Sequence, residues 1–112
     1  MSIPSAINIA AIDPRVRALA QKDSAAALLH AAEELAEASA ACAALYRAVA
    51  LKDGDADARA REVAEELADA LIMIDQVLCV VPIVRTLLPV VREEKIYRAL
   101  YRYGIKPENS KD

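Results

Sequence analysis

Residues 24–52 read SAAALLHAAEELAEASAACAALYRAVALK, and nearly every position is a strong helix former. Leu28, Ala31, Leu35, Ala38, Cys42, Leu45 and Val49 recur at three- and four-residue steps, so the spacing predicts one long helix with a single apolar stripe. Upstream, Asp13-Pro14 reads as an N-cap followed by proline in the first turn, which predicts a short helix to about Gln21. Residues 1–12 are weakly patterned and read as an arm. Downstream, Lys52-Asp53-Gly54-Asp55-Ala56-Asp57 combines a stop with new caps. A second long helix is predicted from Ala58 to Val84, with the stripe Val63, Leu67, Ala70, Leu71, Ile74, Leu78 and Val81, ended or kinked by Pro82. Pro89 is expected to begin a final helix through Tyr103, closed by Gly104, and residues 105–112 form a polar tail.

Composition agrees with an all-α fold. Apolar residues make up 56% of the chain, but there is no Phe or Trp, and two glycines and five prolines are too few turn signals for a multi-stranded sheet. The length of 112 residues suits a single domain spanning the whole chain, and one too small to cover all its apolar faces alone. A homodimer or a dimer of dimers is therefore expected. The net charge of −3 argues against a nucleic-acid binder. The apolar run from Ala70 to Val91 is interrupted by Asp75, Pro82, Arg85 and Pro89, which argues against a membrane span. No secretory signal is visible at the N-terminus, so a cytoplasmic location is expected. Cys42 and Cys79 form no disulfide framework and no metal-ligand spacing; Cys42 reads as a core residue.

The chemistry-bearing residues are acidic. On a helix, positions three apart share a face, so Glu34 pairs with Glu37 and Glu66 pairs with Asp69. Each pair borders its apolar stripe with an offset of the same sign, and packing the stripes together would let the pairs converge. Unbalanced, such carboxylates repel; a hard divalent cation with oxygen ligands resolves the conflict. Taken singly, each glutamate is better explained as solvated helix surface.

The order Glu33-Glu34-Leu35-Ala36-Glu37 followed by Glu66-Leu67-Ala68-Asp69 resembles the E-E-x-x-E … E-x-x-D signature of the MazG-like all-α nucleotide pyrophosphohydrolases. Residues 64–77 are similar to the second motif helix of small stand-alone, phage-type members. Glu94-Lys95-Ile96-Tyr97-Arg98 with Arg102 resembles their basic closing helix. The likeness covers about Ala18 to Arg102; the aromatic that often precedes the first motif helix has no counterpart near Gln21-Lys22-Asp23, which leaves base preference open. The resemblance implies a bundle of two long antiparallel helices with shorter flanking helices, completed by oligomerisation. It implies that Glu34, Glu37, Glu66 and Asp69 ligate Mg²⁺, with Mn²⁺ a substitute, and that Glu33 and Glu37 serve catalysis, Glu33 by holding a further ion or orienting the attacking water. The implied reaction is hydrolysis of a nucleoside triphosphate to its monophosphate and pyrophosphate by a metal-activated water.

The remaining candidates each carry two readings. Lys95, Arg98 and Arg102 share one face, as a phosphate clamp or as cations that complement a helix C-terminus. Tyr97 and Tyr101 suit stacking on a base or packing against a partner helix. His30 lies on the acidic face, and Asp75 reads as surface or as a subunit contact. For the whole chain, the alternatives to an enzyme are a non-catalytic interaction module that retains the bundle, or an unrelated acidic helical adaptor.

Overall fold

The computed structural model describes residues 12–107; the expected arm, apart from Ile12, and the end of the polar tail lie outside them. Helix α1 spans Pro14–Lys22, α2 Ala27–Ala50, α3 Ala56–Val80 and α4 Pro82–Arg102, with a 3-10 turn at Ser24–Ala26 before α2. There is no strand among the described residues, and no helix in them is long and apolar enough to cross a membrane. The fold is all-α.

Local chemistry explains the helix boundaries. The Asp13 carboxylate accepts from the Arg15 N–H at 2.9 Å and pairs with the Arg15 guanidinium at 2.6 Å, which holds its pKa down to about 2. Asp55 caps α3 by accepting from the N–H groups of Asp57 (3.0 Å) and Ala58 (3.2 Å). At the end of α2 it is Lys52, with φ +57, that takes the left-handed position, and the Asp53 N–H closes back on the Arg47 carbonyl at 3.1 Å. Gly54, with φ +113, turns the chain two residues later.

The described residues divide into two compact units, Ile12–Val80 and one that contains residues 81–107. In the first, α3 packs against both α2 and α1. Ala44 and Arg59 line one cleft near the short connection, while Glu34 meets Glu66 farther from it, so α2 and α3 run antiparallel. Every buried residue of this unit is alanine: Ala20, Ala27, Ala31, Ala38, Ala41, Ala48 and Ala70. Their small side chains let the helix backbones approach closely, but each buried methyl contributes only about 0.8 kcal/mol.

This core corrects the expected stripes. The face of α2 that packs carries Ala27, Ala31, Ala38, Ala41 and Ala48, whereas Leu28, Leu35, Cys42 and Val49 are exposed. On α3 the expected stripe holds better: Ala70 is buried and Val63, Ile74 and Leu78 are half-buried, while Leu67 and Leu71 are exposed. A seam built on closely approaching backbones selects alanine over leucine, which turns α2 by part of the ~100° step between neighbouring residues.

The second unit, taken by itself, carries α4. Val81, at φ −124° and ψ 87°, precedes Pro82 in an extended conformation, so α3 stops at Val80 and Pro82 opens the next helix. Pro89 therefore does not begin the last helix, as expected from sequence; it lies inside α4, where it lacks the N–H that would bond one turn back. Gly104, with φ +68, ends α4 as anticipated: its N–H donates to the Tyr101 carbonyl at 3.1 Å and that of Ile105 to Leu100 at 2.9 Å.

Candidate metal centre

Glu34 and Glu37 lie one turn apart on α2, and Glu66 faces them from α3. One carboxylate oxygen from each lies within 4.8 Å of the others. The rotation of the helices places Glu34 and Glu66 in the seam itself, flanked along it by Ala31, Ala38 and Ala70, not at its border as the stripes implied. Both are half-buried, while Glu37 is exposed.

The seam leaves these groups unsatisfied. Oε2 of Glu34 and Oε2 of Glu66 are each buried with no hydrogen-bond partner. A buried acceptor without a donor is costly, and more so when it carries charge. Burial is the first cause raising the pKa of Glu34 above its ordinary 4.5, followed by the charges of Glu37 and Asp69, with a smaller effect of Glu33. Burial also leads for Glu66, followed by the Glu37 carboxyl and then the charges of Asp69 and Glu34. Both shifts have one origin: acidic groups gathered where burial and one another's charges disfavour the ionised form.

The other acidic candidates surround this trio. Asp69 is outside the three converging oxygens, yet its charge acts on both Glu34 and Glu66. Glu33 turns toward His30, whose Nδ1 lies 3.2 Å from Glu33 Oε1, and both side chains are well exposed. A cleft of about 380 Å³ opens beside the trio, lined by Glu37 and Ala41 on α2 and by Arg59, Glu62 and Glu66 on α3. Arg59 is the residue that the sequence reading missed. Its guanidinium pairs with Glu62 at 3.1 Å, so the one cation lining this cleft is already engaged. The three-residue spacing of Arg59 and Glu62 was the available signal.

The donor set suits a hard divalent ion. It consists of carboxylate oxygens alone, includes two acceptors that no protein donor satisfies, and opens to a cleft on one side. In the second unit, Lys95, Arg98 and Arg102 come together as expected from their spacing and line a basic cavity of about 210 Å³ with Ala99. Asp75 is half-buried. Comparison with models of known families, with curated proteins and with solved structures finds no match to this chain.

Proposed function

We propose that this chain is a Mg²⁺-dependent nucleoside triphosphate pyrophosphohydrolase of the MazG-like kind, releasing pyrophosphate and a nucleoside monophosphate. The observation that carries the reading is the convergence of Glu34, Glu37 and Glu66 across the α2–α3 seam with two buried oxygens lacking a donor. Glu34 and Glu66 hold the ion from the seam, Glu37 from the rim of the cleft, and Asp69 completes the acidic set. Mg²⁺ held there supplies positive charge for the phosphate oxygens and lowers the pKa of a coordinated water; Mn²⁺ can replace it. Glu33, beside His30 and at the exposed edge, orients the attacking water. Lys95, Arg98 and Arg102 line a basic cavity of the second unit, with the charge and donor geometry to take phosphate oxygens.

The protein works as a homodimer or a dimer of dimers. An alanine seam buries little apolar surface, and Leu28, Leu35 and Leu71 stand 58%, 49% and 61% exposed. A second copy that covered them would supply the burial that the alanine seam lacks.

Pyrophosphate release from a panel of ribo- and deoxynucleoside triphosphates tests the proposal. Release should require Mg²⁺ or Mn²⁺ and should be abolished by Glu37→Gln and by Asp69→Asn. A helical interaction module would release none and would bind no divalent ion at these residues.

A further inference from the structure

The first turns of α3 carry an ion pair that the carboxylate trio does not use. Arg59, Glu62 and Glu66 recur at three- and four-residue steps, so they share one face of α3, and all three line the cleft beside the trio. Arg59 is the cation on a lining whose other charged groups are Glu37, Glu62 and Glu66. Its guanidinium is only partly engaged. Nη1 donates to both Glu62 oxygens, at 3.2 and 3.1 Å, while Nε and Nη2 reach no acceptor among the described residues. An arginine offers five N–H donors in a planar fork, so most of this one is free for a ligand. The two side chains are 44% and 49% exposed, and an exposed pair at this spacing contributes little to stability. Arg59 can therefore leave Glu62 at small cost when a stronger anion enters the cleft. A phosphate group, with more charge and two oxygens matched to the fork, is such an anion.

We propose that Arg59 is a phosphate-binding residue of the metal cleft, held in reserve by Glu62 until a cation-bound phosphate displaces that carboxylate. Seven residues separate Arg59 from Glu66, roughly 10 Å along the helix axis. A phosphate chain anchored through the cation at Glu66 can thus extend along the same face of α3 toward the guanidinium. Glu62 then plays the part of a competitor. It keeps Arg59 folded over the empty cleft, and it weakens the binding of any anion that must take its place. Every residue in this exchange belongs to the unit of α1, α2 and α3. The choice of phosphate as the anion rests on the hydrolase reading above; the exchange itself needs no turnover.

Calorimetry on the full chain tests the exchange, with Mg²⁺ alone and inorganic tripolyphosphate with and without Mg²⁺ as probes. Arg59→Ala should weaken the Mg²⁺-dependent part of tripolyphosphate binding by roughly 10-fold. The same variant should bind Mg²⁺ alone at least as tightly as the wild type, because a nearby positive charge is gone. Arg59→Lys should recover part of the loss. Glu62→Gln breaks the same ion pair from the other side and should tighten tripolyphosphate binding. Glu65→Gln removes one charge from an exposed position of α3 outside the cleft lining and should tighten it less. A pair with a purely structural role would make Arg59→Ala and Glu62→Gln shift binding in the same direction, and that result overturns the proposal. It is also overturned if the wild type shows no Mg²⁺-dependent tripolyphosphate binding, if Arg59→Ala binds like the wild type, or if Glu65→Gln matches Glu62→Gln. Arg59-dependent binding without pyrophosphate release from any nucleoside triphosphate would end the hydrolase reading and leave the anion site standing. Release with an unchanged KM in Arg59→Ala would do the reverse.

Discussion

Glu34 on α2 and Glu66 on α3 face each other across an alanine seam, each with one buried carboxylate oxygen that no donor reaches. Burial and neighbouring negative charge disfavour the ionised form of both acids. The dependence of stability on pH and on divalent ions follows from that opposition.

The first concerns pH. Both carboxyls have folded pKa values above the ordinary 4.5, so the folded state binds more protons than the unfolded state between that value and the raised ones. Their contribution is therefore most favourable below 4.5 and is lost as pH rises through the folded values. Thermal melts in the presence of a chelator should show Tm falling as pH increases through this window. Glu34→Gln should flatten the fall and raise Tm at neutral pH; a variant less stable than the wild type there would contradict the argument.

Divalent ions should reverse the penalty. At a concentration of one hundred times its Kd, a ligand that binds only the folded state stabilises it by about 2.7 kcal/mol. Mg²⁺ should accordingly raise Tm at neutral pH, and Glu66→Gln should remove most of the increase. Equal shifts in wild type and variant would place the ion elsewhere.

Close approach of α2 and α3 depends on small side chains. Ala70, 3% exposed, has no room for a branched residue, so Ala70→Leu should destabilise the fold by about 1–3 kcal/mol through overpacking. Urea denaturation at fixed pH measures the loss. A neutral result would mean that the seam is looser than its alanines imply.

Asp55 holds the first turn of α3 by accepting from two of its backbone N–H groups. Asp55→Ala should cost about 1 kcal/mol, and Asp55→Ser should recover most of it. The two variants compared by denaturant midpoint separate capping from a general effect of charge.

Leu71 contributes nothing to the buried core of its own helix pair, being 61% exposed. Leu71→Lys should leave helix content unchanged while reducing the mass measured by sedimentation. An unchanged mass would remove Leu71 from any subunit contact.

Much of the fold was legible in short stretches. Asp13-Pro14 announced α1 and Gly104 ended α4, because caps and left-handed turns are local devices that a few residues specify. Pro89 misled: its position suggested a helix start, but Pro82 had already taken that role, and two prolines seven apart cannot be ranked by local rules alone. The stripes misled for a related reason. In an alanine-rich helix two adjacent faces are apolar, and the leucines draw the eye to the one that the fold leaves open.

The sequence by itself determined that the chain is helical, where most of its helices begin and end, and which carboxylates were worth watching. These follow from propensities, caps and the period of a helix. Tertiary structure alone decided which face of α2 meets which face of α3, because that choice depends on how closely two backbones can approach once their side chains interlock. It made alanine the core, left leucine outside, and set Glu34 and Glu66 within the seam where solvent cannot satisfy both oxygens.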